Sequence, residues 1–161
     1  MINKNNIHLF DNLEELEKEF DNSSTEVGNT KEINNVILSY EFVPNQNKDF
    51  SSKLDEEESR WLYKEIDFAI EKIKKDKNSR QAIIYNLHKS GLEHNCLNTF
   101  HLYFRENKLN LNVYIRSMNF DDNFKNDIYT FDIILNKACN VLMLDKGQIT
   151  MFIMSLHSFK K

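Results

Sequence analysis

One cysteine and one Arg-Ser pair stand where a hairpin would bring them together. Cys96 lies just ahead of the apolar run Thr99–Phe104, and Arg116 with Ser117 closes the next run. In that second run Leu109, Leu111, Val113 and Ile115 alternate with Asn110, Asn112, Tyr114 and Arg116. This is the period of two expected of a strand with one buried face, and it puts Arg116 on the polar side. Across a hairpin the start of one strand lies beside the end of the other. Cys96 and Arg116 are therefore expected at one rim of one sheet. A thiol is a nucleophile and a guanidinium is a two-pronged anion binder, so the rim pairs bond-forming chemistry with a grip on phosphate or carboxylate.

The elements that must position this rim follow from periodicity. Leu9, Phe10, Leu13, Leu16 and Phe20 recur at helical spacing, with Asp11 and Glu14 as the capping pair, and predict a first helix. The polar stretch 21–30 reads as a loop, and 35–43 as a strand that stops at the sole proline, Pro44. A charged connection, 45–59, leads to a second helix from Arg60 to about Asp76–Asn78, with Leu62, Ile66, Ala69, Ile70 and Ile73 on its apolar stripe. Gln81–Leu87 predicts a short strand and 88–95 a polar loop. After the hairpin, Ile128, Phe131, Ile134, Leu135, Ala138, Val141 and Leu142 predict a third helix, stopped near Gly147. Gln148–Phe159 predicts the last strand. The expected core includes Ile83, Phe100, Leu102, Leu111, Val113, Phe131, Ile134, Leu135 and Val141.

Composition limits what the rim can serve. A chain of 161 residues is expected to form a single domain, 1–161, and 40% hydrophobic with 12% aromatic residues suits a folded, sheet-containing protein. A net charge of −4 gives no general attraction for DNA, RNA or an anionic membrane, so any phosphate contact must be local. Cys96 and Cys139 have no metal-binding spacing, and no metal is expected. The N-terminal residues lack the apolar run of a signal peptide, and no segment reaches transmembrane length, so a reduced, cytoplasmic setting is expected.

Five short motifs occur in one order: SRQAIIYNL from Ser79, NC at Asn95, LYFRENKLNLNVYIRS ending at Ser117, NDIYTFDIIL from Asn126, and SLHSF ending at Phe159. Together they resemble the thymidylate synthase superfamily, in particular its deoxycytidylate (cytidylate) hydroxymethylase branch, over about half of the chain. The resemblance implies an α+β fold: a mixed, twisted sheet with helices on one face, and a homodimer of sheets stacked back to back. It implies that Cys96 is the nucleophile that adds to pyrimidine C6. It also implies that Arg116 and Ser117 bind the phosphate of a pyrimidine nucleoside monophosphate, and that Arg80 reaches the same phosphate across the dimer. Asp127 stands where the uracil-using synthases carry asparagine and is implied to read the cytosine edge. His157 is implied to contact the sugar hydroxyl, and Asn119 replaces the aspartate that follows the Arg-Ser pair. The one-carbon donor implied is 5,10-methylenetetrahydrofolate.

The expected activity is C5 hydroxymethyl or methyl transfer to a (deoxy)cytidine monophosphate. The chain has no equivalent of the family's catalytic glutamate, since Glu58–Trp61 keeps only an E-x-x-W spacing, and Phe159 replaces a tyrosine. A catalytically reduced relative, serving as a nucleotide-binding or protein-interaction module, is the alternative. Each site residue also has a plain structural reading. Asp127 precedes Ile128 and suits the N-cap of the third helix; Arg116 suits a strand-end ion pair; and a lone cysteine such as Cys96 is commonly a small buried side chain. His157 near the chain end suits an exposed histidine, and Cys139 on an apolar stripe suits the core.

Overall fold

The computed structural model describes residues 7–41, 56–85, 96–122 and 124–160, and within these the side chains of 56–61 and of Asn98 are left aside. The predicted stop at Pro44, most of the charged connection and the polar loop 88–95 with its His94 lie outside the described residues. The fold is α+β. Its elements run β1 (His8–Phe10), α1 (Leu13–Ser23), β2 (Thr25–Val27), β3 (Thr30–Tyr40), α2 (Glu56–Lys75), β4 (Ile83–Tyr85), β5 (Leu97–Arg105), β6 (Lys108–Ile115), β7 (Met118–Asn119), α3 (Phe124–Leu142) and β8 (Asp145–Phe159). One mixed sheet has the order β1-β3-β8-β6-β5-β4, with β2 added to β3 and β7 to β8. The β1–β3, β6–β8 and β7–β8 pairs are parallel.

Several boundaries differ from the sequence reading, each for a local reason. Leu9 and Phe10 do not begin a helix; they form β1, paired in parallel with Ile37 and Leu38. The helix starts at Leu13 because Asn12, not Asp11, caps it: the Asn12 side chain accepts from the Glu15 amide at 2.8 Å. The Glu15 carboxylate in turn accepts from the Asp11 amide at 3.0 Å, so Glu15 rather than Glu14 completes the cap. The expected loop 21–30 holds the last turn of α1 and a hairpin between β2 and β3, turned at Gly28 with φ of 58°. α2 begins at Glu56, ahead of Arg60. α3 begins at Phe124, so Asp127 lies inside its first turn and is not its cap. Its end is set by Met143, at φ 52°, with the Leu144 amide reaching back to the Cys139 carbonyl at 3.1 Å. That is a left-handed helix terminus of the Schellman kind. Gly147, the expected stop, is a buried residue of β8.

The three helices cover one face of the sheet. Leu16 and Phe20 from α1, Ile66, Ala69, Ile70 and Ile73 from α2, and Phe131, Ile134, Leu135 and Ala138 from α3 are all buried with Val36, Phe100, Leu102, Leu111, Val113 and Met151. Phe100 meets the edge of Phe131 at 5.7 Å. Ile83 is only half-buried and Val141 is exposed; the neighbours Ala82, Ile84 and Cys139 take the core places expected of them. The β5–β6 turn is the two-residue pair Glu106-Asn107, both at positive φ, which matches the twist of the strands it joins.

A line of phase breaks crosses this sheet. A strand with a strict period of two cannot bury residues three apart on one face. Yet Ile33 and Val36, Ile115 and Met118, and Ile153 and Leu156 are all buried in the same core, and Leu97 packs against it three residues before Phe100. The breaks fall at Asn35, which sits at φ 56°, at the gap between β6 and β7, at Met154 and at the register shift between Leu97 and Thr99. The sheet therefore kinks along one line, and Cys96, Arg116 and Ser117 lie on it.

Candidate functional site

Bulges and breaks re-aim side chains, and here the re-aimed ones are those the sequence singled out. Cys96 is exposed, not packed in the core. Its carbonyl accepts from the Arg116 amide at 2.7 Å, which closes the hairpin, and the Arg116 guanidinium lies 3.5 Å from the Cys96 sulfur. One residue on, the Ser117 hydroxyl sits 3.3 Å from Nδ1 of His157. β7 and β8 make this possible: Met118 pairs with Leu156 and Asn119 with His157, and the Phe120 amide donates to the His157 carbonyl at 2.8 Å. His157 is half-buried, its ring perpendicular to that of Phe159 with centroids 5.6 Å apart. Cys96, Arg116, Ser117, Asn119 and His157 thus share one rim.

The segment beyond β7 is held firmly. Phe120 stacks on Phe20 at 4.3 Å and leans on Phe124 at 5.1 Å, tying the rim to α1 and α3. The Asn119 carboxamide bonds within its own turn, accepting from the Asp121 amide at 3.0 Å and donating to the Asp122 carboxylate at 2.7 Å. Asp121, which the sequence reading passed over, joins the rim by accepting from the Ser158 hydroxyl.

Asp127 and Arg80 are placed differently. Asp127 is half-buried in the first turn of α3, close enough to Tyr40 to act on its phenol. Burial first, then the charges of Asp132 and Asp127, hold that phenol well above the usual tyrosine range. Tyr40 donates instead to the Ile128 carbonyl at 3.4 Å. Arg80 is exposed on the segment between α2 and β4, where it lines a cleft with Arg105, the last residue of β5. Cys96 precedes the first residue of that same strand, so within one chain the cleft and the thiol are separated by a strand length of roughly 25 Å. Arg80 and Arg116 do not converge within the single chain.

Among the described residues no group of His, Cys, Asp and Glu could hold a metal ion, and no helix is long and apolar enough to cross a membrane. The cations Lys72, Lys75 and Arg105 around Arg80 were not singled out by sequence. The lysines read as the solvated face of α2, and nothing in the spacing links them to a residue thirty positions downstream.

No family model matches the chain, and no curated protein matches it in sequence. In structure it is similar to thermostable thymidylate synthase A from Bacillus subtilis, with a TM-score of 0.54 and 18% identity over 59% of this chain. The match spans 36% of that synthase. The fold is thus thymidylate synthase-like, and the mixed sheet with helices on one face is the arrangement the five motifs implied.

Proposed function

We propose that the chain binds a pyrimidine nucleoside monophosphate at the kinked rim and adds the Cys96 thiolate to C6 of its base. The observation that carries this reading is the Arg116 guanidinium 3.5 Å from the Cys96 sulfur, with the Ser117–His157 pair next to it on the same rim. Arg116 and Ser117 supply the phosphate contacts and His157 the sugar contact, while Asp127 is the base reader that favours cytosine. Formation of the sulfur–C6 bond moves the C5–C6 π pair onto C5, which then takes up a proton or an electrophilic carbon. Loss of a proton from C5 returns the pair and expels the thiolate.

A homodimer formed by the sheet face opposite the helices completes the reading. On that face Leu9 and Met154 are exposed and Tyr114 stacks on Phe152 at 4.9 Å. Only a second copy can bring an Arg80 to this rim, because a protomer's own Arg80 lies at the far end of β5.

The donor set at the rim consists, among the described residues, of hydrogen-bonding groups plus a Phe159 ring perpendicular to His157. Among the described residues these groups fit a phosphate and a sugar and present no pair of facing apolar walls for a pteridine. Full hydroxymethyl or methyl transfer would in addition require a one-carbon donor, 5,10-methylenetetrahydrofolate, which these groups alone do not hold.

The test needs no folate. Equilibrium titration with dCMP, CMP and dUMP should show binding that weakens at least tenfold in Arg116→Ala. Proton NMR in heavy water should show exchange of the C5 hydrogen, lost in Cys96→Ser with binding kept. Binding without exchange in the unmodified chain selects the nucleotide-binding module. Failure to bind any of the three nucleotides overturns the proposal.

A further inference from the structure

Among the described residues one buried side-chain polar atom finds no hydrogen-bond partner, Nε2 of His101. Alternation along β5 fixes where it stands. Phe100 and Leu102 on either side of it are buried in the core under the helices, so His101 lies with Thr99 and Tyr103 on the opposite side of the sheet. It is paired with Ile83 on β4 and with Asn112 on β6. Its ring is tilted against that of Tyr103, with centroids 5.5 Å apart. The face is open around it, since Tyr85 and Tyr114 on those neighbouring strands are exposed.

A neutral imidazole tolerates this setting and a charged one does not. The titratable and charged groups that share its side by alternation are Tyr103 on β5, Tyr85 on β4, and Lys108 and Tyr114 on β6. None of them is a carboxylate. Arg105, at the end of the same strand, acts on His101 as a like charge. Of the carboxylates near this hairpin, Glu41 is paired with Lys108 at 3.6 Å, and Glu106 acts on Tyr103 rather than on His101. A two-fold interface lays a face against itself. Gln148–Met154 of β8, the next strand along, has no Asp or Glu either, so the matching stretches of a second copy bring no counter-charge for an imidazolium.

We propose, on the footing of the homodimer reading, that His101 makes the pairing of two chains through this face sensitive to acid: the dimer forms with both imidazoles neutral and parts as they take up protons. Within one chain the residue is only half-buried, so an imidazolium keeps some contact with water. Under a second copy it loses that contact and gains no carboxylate, so the free chain binds the proton more readily than the dimer. Association is therefore at full strength above the titration midpoint of the free chain and is lost as pH falls towards the lower midpoint of the dimer. Two protons enter per dimer that dissociates, so the dissociation constant rises by up to about a hundredfold per pH unit in that window. Overall charge works the other way. The net −4 shrinks as pH falls, and weaker self-repulsion favours association, so weakening by acid points to a buried group. A chain that parts from its copy also loses that copy's Arg80 from its rim, which couples nucleotide affinity to the same equilibrium.

The experiment is sedimentation velocity of the full chain over a concentration series at pH 7.5 and pH 5.5, beside His101→Gln. The dissociation constant of the wild type should rise at least tenfold at the lower pH with an unaltered circular dichroism spectrum, and that of His101→Gln should stay within threefold. Because His101→Gln can fail to fold, a second measurement uses the wild type alone. Its His101 ring resonance, followed by proton NMR, should titrate at a lower pH in concentrated, dimeric protein than in dilute, monomeric protein. A titration midpoint independent of concentration, a dissociation constant indifferent to pH, or an equal pH response in His101→Gln overturns the inference and leaves the homodimer standing. Loss of the circular dichroism signal together with the dimer also overturns it, since unfolding then drives the dissociation. A chain that is monomeric at pH 7.5 at every concentration overturns the homodimer reading and this inference with it.

Discussion

Gly147→Ala should cost far more than its one added methyl group suggests, and the cost should reach the candidate site. A Cβ built on Gly147 would lie 2.1 Å from Oδ1 of Asn110 and 3.0 Å from the Leu109 carbonyl. The Asn110 side chain would have to swing away, yet it is buried and holds two hydrogen bonds. It accepts from the Gln148 amide at 3.0 Å and donates to the Lys108 carbonyl at 3.1 Å. Each bond is worth about 1 kcal/mol net, and leaving a buried donor unpaired adds about 1 to 3 kcal/mol, so a loss of roughly 3 to 5 kcal/mol is expected. This contact lies where the β6–β8 register changes: Leu109 pairs with Lys146, but Leu111 pairs with Ile149, one residue further along. That extra residue in β8 sets the register which later brings Asn119 opposite His157. Urea unfolding of the wild type, Gly147→Ala, Asn110→Ala and the double variant provides the assay. The double variant should be less destabilised than the two single losses added together, because the clash disappears with Asn110. A Gly147→Ala loss below about 0.5 kcal/mol, or strict additivity, would refute the reasoning, since ordinary surface substitutions fall within that range.

Two further outcomes follow from burial. Native protein treated with iodoacetamide should be modified at exposed Cys96 and spared at Cys139, whose thiol burial pushes up to about 11; equal labelling before denaturation, read by peptide mass, would contradict this. His101 on β5 is held below the usual histidine range, first by burial and then by the charge of Arg105, and its Nε2 is buried without a partner among the described residues. The unfolded chain therefore takes up this proton more readily, so stability present above about pH 6.5 is lost as pH falls towards the depressed folded value. The melting temperature of the wild type should drop more steeply than that of His101→Gln between pH 7 and 5, and parallel curves would exclude His101 as the cause.

Periodicity revealed the hairpin, the α2 and α3 stripes and the pairing of Cys96 with Arg116, because each rests on one element or on two strands joined by a tight turn. It failed wherever a residue's role is set by partners distant in sequence. Leu9 and Phe10 fit the helical stripe of α1, and only the parallel partners Ile37 and Leu38 make them a strand. Gly147 looked like a helix stop, whereas its small size answers to Asn110 on another strand. The kink was in fact written in the chain as apolar residues three apart inside strand-like runs: Ile33 and Val36, Ile115 and Met118, Ile153 and Leu156. A single such pair suggests a helix or nothing at all. Four in one sheet, counting Leu97 with Phe100, show the strands changing phase together, and the residues that fall in the breaks are turned out of the alternating pattern. That is the physical reason Arg116 and Ser117 can face a thiol and an imidazole from neighbouring strands at the same time. A flat sheet would have pointed two consecutive residues to opposite faces. The chemistry proposed for the rim therefore depends on the kink as much as on the identities of its residues.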